Sequence, residues 1–533
     1  MKLTDWKFLS YETLANVIEM IDLNATAFHR NFTNLICHTH MNEAYFKPFR
    51  DQIIGINQKF ETPQGDKIMI YADWIASGRL YSPIEKIMLE KVAPFCANTH
   101  TETSITGTLM TKAYLGAKQF IKREVGANEN DILIFSGSGM TDSINKLQRI
   151  MGLRVPELSH AFVEISKLPP AEKPVVFVTH MEHHSNHTSW LETIADVEII
   201  DSTSEGLVDT KHLEKLLEIY KERKLKIASV TSCSNVTGIF TPYYEIAEMM
   251  HNAGGLCFVD FACSGPYVDI NMHPENEKQY LDAIFISPHK FLGGPGTPGV
   301  LVLSKNLCKN SIPDNSGGGT VTYTTPWKLH VYIENIEERE DAGTPPFLQG
   351  IRAALAFKIK REMGVKNIEA REKVLVNKVF DRLLKIPNLH ILQENIRDRI
   401  GAISFYIDDL HFNLGVKLLN DYFGIQVRGG CACAGTYGHI LLNISQAESD
   451  RIIKLINQGD KSVRPGWIRL SIHPTMTDAE VEQIITGIEF VAANFKTIGE
   501  NYEYLPQRNV FSHKTARLTF IQSWMKELYE DAF

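Results

Sequence analysis

The chain has 533 residues, with 55 basic and 63 acidic side chains and a formal net charge of −8. Its composition, 44% hydrophobic and 22% charged, is that of an ordinary globular protein and excludes disorder, collagen or a coiled coil as the main architecture. Mild acidity without a long basic run argues against a nucleic-acid partner, and no apolar run of about 18 residues or more is present to span a membrane.

Eight cysteines are too few for a disulfide framework in so long a chain. The opening MKLTDWKFLSYETLANVIEM carries acidic residues among its apolar ones and has no export-type core. The expectation is a cytoplasmic protein with free thiols.

In chain order, residues 1–65 read as a peripheral helical segment. Residues 66–345 read as a large domain in which short apolar runs alternate with amphipathic stretches. Ile68–Tyr71, Asp131–Phe135, Pro174–Thr179, Val197–Ile200, Lys226–Val230, Gly255–Asp260, Ala283–Ser287 and Gly299–Leu303 are predicted strands. Several are continuously apolar and β-branched, as strands covered on both faces are. Between them, Thr210–Arg223 and Pro242–Asn252 have helical periodicity, so the class is α/β with a mostly parallel sheet. Residues 151–173 read as an insertion. Residues 346–499 read as a smaller α+β domain, with helices at Gln349–Gly364, Asn367–Leu384, Asn413–Phe423 and Asp478–Asn494 and strands at Ala402–Ile407, Ile425–Arg428 and Trp467–Ile472. Residues 500–533 read as a helical extension.

In an open parallel sheet, ligands bind beyond the carboxyl ends of the strands. The chemistry-bearing residues of this chain fall there. After Asp131–Phe135 comes SGSGMTDSIN (136–145), a glycine-rich turn opening a helix and suited to a phosphate. It lacks the Gly-Lys-Ser/Thr of a Walker loop and is not a full dinucleotide fingerprint. After Pro174–Thr179 comes HMEHHSNH (180–187). Its four histidines suit an aromatic platform for a planar ligand, a zinc site or plain surface positions. Asp260 ends a buried strand in VDFACSG (259–265), and Lys290 leaves another in SPHKFLGGPGTPG (287–299). An amine, a buried carboxylate and a phosphate turn at one sheet edge are the set that holds pyridoxal phosphate.

The ordered motifs GSGMTD, MEHHSN, SNVTG, VDFA, SPHK, AGTP, VRGGCACAG and IRLS resemble the class V aminotransferase family of fold-type I pyridoxal-phosphate enzymes. Within it the chain is most similar to cysteine desulfurases and selenocysteine lyases. The resemblance runs from about residue 68 to 495. It implies a large domain on a seven-stranded, mostly parallel sheet. It implies that Lys290 carries the cofactor as a Schiff base, Asp260 pairs with the pyridine nitrogen and His183 stacks on the ring. Thr141, Ser287 and His289 would hold the phosphate, with the Gly139–Met140 backbone alongside. Asn235 would lie near the ring oxygen or the substrate carboxylate, and Arg469 would grip that carboxylate through a bidentate pair. Arg428 would orient the loop that follows it. Thr344 would reach the phosphate of a neighbouring subunit, which implies a homodimer.

Cys433, in VRGGCACAG (427–435), aligns with the nucleophilic cysteine of the desulfurases. The implied reaction takes sulfur or selenium from an amino-acid substrate, cysteine or selenocysteine. It leaves alanine and a Cys433 persulfide for a sulfur-acceptor protein. The alternative is a class V transaminase or lyase in which Cys433 is a small loop residue. Two departures stand out. Cys263 occupies a position that is commonly glutamine and would be a weaker donor to the ring oxygen. Cys431 and Ala432 precede Cys433 where histidines are usual. With GGGTV at 317–321, the Cys-x-Cys also resembles the desulfurase-like domain of molybdenum-cofactor sulfurases, although no acceptor-binding domain for that cofactor is evident in the sequence.

Overall fold

A computed structural model describes residues 43–164, 167–516 and 519–530. The helical reading of residues 1–42 lies outside the described residues.

The central sheet has seven strands. In chain order they are β1 (Asp131–Ser136), β2 (Val175–Thr179), β3 (Asp196–Ile200), β4 (Lys226–Thr231), β5 (Leu256–Asp260), β6 (Ala283–Ile286) and β7 (Gly299–Ser304). Their spatial order is β1-β7-β6-β5-β4-β2-β3. Neighbours pair in parallel from β6 through β5, β4 and β2 to β3, while β7 runs antiparallel to both β1 and β6. β1, β2, β4, β6 and the last four residues of β5 are buried along their length. That burial matches their unbroken apolar runs, because crossover helices cover both faces. Two hydrophobic clusters lie on the sheet, one containing Leu133, Phe177, Val230 and Val259, the other Ile134, Val178, Phe258 and Phe285.

The smaller domain has a four-stranded antiparallel sheet of β8 (Leu389–Ile391), β9 (Ala402–Ile407), β10 (Arg428–Gly430) and β11 (Trp467–Ser471), in the order β8-β9-β11-β10. Helices at Phe347–Met363, Val365–Leu383, Phe412–Phe423 and Asp478–Gly499 flank it. The last begins with a capping box, in which the Thr477 hydroxyl accepts from Glu480 N–H and the Glu480 carboxylate accepts from Thr477 N–H.

Three expectations are corrected. Ile68–Tyr71 is not a strand of the large sheet. Lys67–Ile68 pairs with Lys59–Phe60, and Ile70–Tyr71 pairs in parallel with Ile425–Gln426. Ile68 is half exposed, so this run never had the two covered faces that a central strand requires. The single strand read over Ile425–Arg428 is two, divided at Val427, and its halves join different sheets. Residues 500–533 are not simply helical: Tyr502–Leu505 and Val510–His513 form a hairpin before a helix at Phe520–Tyr529. Tyr502 is buried and Glu503 exposed, the period-two signal of a strand. The insertion at 151–173 carries a short 3-10 turn at Glu157–Ala161 and adds no strand among its described residues.

Candidate active site

A cavity of about 210 Å³ opens where the carboxyl ends of the parallel strands face the smaller domain. Met140 and Thr141 line it after β1, His183 after β2, Thr231 and Asn235 at and after β4. Asp260, Ala262 and Cys263 line it at the end of β5, and His289 and Lys290 after β6. Ile75, Ala76, Arg428, Ala432, Cys433 and Arg469 close the opposite side. Twelve of the fourteen residues predicted for the site are therefore in or beside one space (Gly139 by its turn). Ser287 is buried behind the lining and Thr344 is exposed outside it.

On the large-domain side, Asp260 is 3% exposed and its Oδ1 accepts from Ala262 N–H at 2.7 Å. Burial pushes its carboxyl up to about 6, against the lowering effects of that bond and of Lys290. Desolvation likewise lowers the Lys290 ammonium, favouring the neutral amine needed for Schiff-base formation. Burial first, then the charges of Lys290, His184 and Arg469, drops His183 to about 3. Its Nδ1 accepts from Ser185 N–H at 3.1 Å, so the ring is neutral and held in one orientation. Beneath it, buried Glu182 accepts from the Thr179 hydroxyl at 2.7 Å and from Thr231 N–H at 2.8 Å, tying β2 to β4. Burial pushes Glu182 up to about 8.

The glycine-rich turn is pinned beside the cavity. Ser287 Oγ accepts from Met140 N–H at 2.9 Å, which locks the turn onto β6. A Cβ on Gly139 would stand 3.2 Å from Ser287 Oγ and 3.6 Å from the His289 ring, so glycine keeps the cradle open. Thr141 Oγ1 shares a 2.6 Å hydrogen bond with Ser185 Oγ, and burial lowers His289 to about 4. Cys263 Sγ donates to Ser234 O at 3.7 Å, and a bond from the Cys233 thiol is the largest influence lowering its pKa.

On the small-domain side, Arg428 and Arg469 are directly opposite in the β10–β11 register. Like charges facing across a strand pair repel. Asp73 resolves this, its Oδ1 accepting from Arg469 Nη2 at 2.9 Å and its Oδ2 from Arg428 Nε at 3.0 Å. Asn235 O accepts from Arg469 Nη1 at 3.0 Å, while Arg469 Nε is buried without a partner. Sequence reading missed Asp73. The available sign was an acidic residue leaving a short strand just before the small residues Ala76, Ser77 and Gly78.

Arg428, which precedes the loop it was expected to orient, pairs with Asp73. The loop is held from the large domain, with Asn235 Nδ2 donating to Ala432 O at 2.7 Å. Ala432 and Cys433 both adopt left-handed backbone angles, φ 51° and 57°. Two successive non-glycine residues there are strained and persist only where surroundings hold them. Cys433 is exposed at the cavity edge and Cys431 half-buried.

Among the described residues no three His, Cys, Asp or Glu side chains converge as a metal site. The donor set fits pyridoxal phosphate. Asn235 Oδ1 and Arg469 Nε are buried polar atoms left unpaired, a buried carboxylate and a desolvated amine flank the cavity, and an open glycine cradle adjoins it. An α/β sheet with this site defines a pyridoxal-phosphate-dependent enzyme.

The chain belongs to the class V aminotransferase family, whose model matches residues 70–484. It is 26% identical over 375 residues to a cysteine desulfurase of Haloferax volcanii, covering 68% of this chain and 80% of that one. A probable cysteine desulfurase of Streptomyces coelicolor is 25% identical over 430 residues, covering 79% and 92%. In fold the chain is similar to apo cysteine desulfurase from Thermococcus onnurineus NA1, with TM-score 0.66 and 23% identity over 84% of this chain and 98% of that one. It is also similar to cysteine desulfurase CsdA from Escherichia coli, with TM-score 0.64 and 20% identity over 85% and 99%. No described helix is long and apolar enough to cross a membrane.

Proposed function

We propose that the protein removes sulfur, or selenium, from cysteine or selenocysteine, giving alanine and a persulfide on Cys433. The observation that carries this reading is that Lys290, Asp260, His183, Arg469 and the Cys433 thiol line a single cavity. Asp260 would hold the pyridine nitrogen, His183 the ring face, and Thr141, His289 and the Gly139–Met140 turn the phosphate. When bound, pyridoxal phosphate supplies the electron sink that stabilises negative charge at the substrate Cα.

Arg469 binds the substrate carboxylate. Its free Nε donor and guanidinium charge suit that anion, and Asp73 keeps the side chain aimed. Lys290 would take the Cα proton and return protons to the carbon skeleton. The Cys433 thiolate attacks the substrate sulfur. The new S–S bond forms as the Cβ–S bond breaks, its electron pair passing to carbon. Cysteine and one thiol thus become alanine and one persulfide with atoms and electrons conserved.

The reading carries a homodimer, a sulfur-acceptor protein and a cytoplasmic setting. Exposed Thr344, lying outside its own cavity, supports service to a neighbouring subunit. So do exposed Tyr323, Trp327 and Leu329 on the hairpin that follows Gly317–Thr320.

The test is mass spectrometry after incubation with cysteine. One added sulfur is expected on the peptide carrying Cys433, and Cys433→Ser should lose both that mass and alanine formation. Full alanine formation by Cys433→Ser would overturn the reading and leave a class V lyase or transaminase with a bystander cysteine.

A further inference from the structure

The histidine-rich segment 180–187 gives only His183 to the cavity lining. The other three histidines face the segment that carries Cys433. His184 N–H donates to Cys433 O at 2.7 Å. His184 Nε2 accepts from Gly435 N–H at 2.8 Å. His187 Nδ1 and Thr436 Oγ1 are 3.2 Å apart, and the His180 ring stands edge-on to Tyr437 with centroids 5.4 Å apart. The segment Gly435–Leu441 is a helix, so its first amide needs an acceptor from outside, and His184 provides it.

Glycine at 435 belongs to the same device. A Cβ there would lie 3.0 Å from His184 Nε2, tighter than ordinary contact. Glycine gives the imidazole room to approach the amide so closely.

We infer that His184 is a positioning residue: its ring and backbone clamp both sides of Cys433, holding Ala432 and Cys433 in their left-handed conformation so that the thiol faces the cavity. The clamp has three points. Asn235 holds the carbonyl before Cys433, the His184 amide holds the Cys433 carbonyl, and the His184 ring holds the amide two residues on. The ring can accept only while Nε2 is unprotonated, and burial lowers the His184 pKa, which favours that form. This fixes the tautomer as well: the proton of neutral His184 sits on Nδ1. The backbone bond to Cys433 O survives any side-chain substitution, so the side chain's share of the clamp can be isolated.

The inference rests on the reading of Cys433 as the sulfur-accepting thiol, and the experiment separates the two. The full chain loaded with pyridoxal phosphate is compared with His184→Ala and His184→Gln. Glutamine can place a carbonyl oxygen near the position of Nε2, whereas alanine leaves Gly435 N–H without an acceptor. Retained visible absorbance of the cofactor on Lys290 reports that the site is folded and loaded. Amide hydrogen exchange is read on the peptide spanning residues 431–437, and sulfur loading of Cys433 by mass. In His184→Ala, exchange across 433–436 should rise about tenfold and kcat for alanine formation fall about tenfold, with KM nearly unchanged. His184→Gln should recover most of both. Unchanged exchange in His184→Ala, or a glutamine variant no better than alanine, would overturn the clamp. Absence of sulfur on Cys433 in the parent protein would instead sink the proposed reaction, and the exchange comparison would still decide the clamp on its own.

Discussion

The two walls of the cavity are built differently. On the large-domain wall, Asp260 ends a regular strand and Lys290 follows another, joined by short connections to buried β5 and β6. On the small-domain wall, the two arginines sit in a strand pair, but the exposed thiol of Cys433 rides on a half-buried loop with two left-handed residues. The first wall has to keep one group in one place through every turnover, and regular strands do that. In the proposed reaction the second has to present its thiol to a substrate and then surrender sulfur to an acceptor, which requires access. Cys431, Ala432 and Ala434 pack against the core beside it, and hydrogen bonds from Asn235 and His184 across the cavity add to the hold on its geometry. Rigidity is intrinsic to one wall and partly lent to the other.

The sharpest way to break the comparison is at the rigid wall. Lys290→Ala removes the amine that, in the proposed reaction, holds the cofactor and moves the proton. Alanine formation should fall about 10³-fold or more, with no visible absorbance from a lysine-bound cofactor. A loss under tenfold would mean that the fixed wall does not carry the chemistry.

That wall was also the legible one. Lys290, Asp260 and the glycine-rich turn each follow a strand whose continuous apolar run announces it, so the topology places them together. The small-domain wall was read only in part. Arg469 and Cys433 were found by motif, but Asp73 is distant in sequence and lies beside a strand wrongly assigned to the large sheet. The pairing of Arg428 with Asp73, and of His184 with Gly435, joins residues hundreds of positions apart, and no local period signals such contacts. The C-terminal hairpin was missed because the extension was read as helix despite the alternation at Tyr502–Leu505.

A second test acts on the wall proposed to bind substrate. Arg469→Lys keeps a charge but loses the planar fork and leaves Asp73 and Asn235 O short of donors. KM for cysteine should rise about 30-fold, with a smaller change in kcat. Asp73→Asn should do less, about fivefold, because both arginines keep their strand positions while losing the carboxylate that neutralises one of them. Steady-state kinetics of the two variants measure this, and an Asp73→Asn effect as large as Arg469→Lys would show that Asp73 itself meets the substrate.

The smallest effect concerns the rigid wall without its cofactor. There Asp260 is a buried carboxyl raised from 3.8 to about 6 with no pyridinium to pair with. An acid whose folded-state value is raised favours the folded state while protonated. That contribution is full below pH 3.8 and is lost as pH rises through about 6. A shift of this size sets a ceiling of about 3 kcal/mol on the loss by pH 8. Asp260→Asn cannot ionise and keeps an acceptor for Ala262 N–H, though a weaker one. Cofactor-free Asp260→Asn should therefore be more stable than the parent by about 1–2 kcal/mol at pH 8, with the gain vanishing near pH 4. Urea unfolding at the two pH values measures it. Once pyridoxal phosphate is added the order should reverse, because the carboxylate then has its cation and asparagine does not. A parent protein as stable as the variant at pH 8 without cofactor would mean that Asp260 is already paired, and the strained charge assigned to this wall would be wrong.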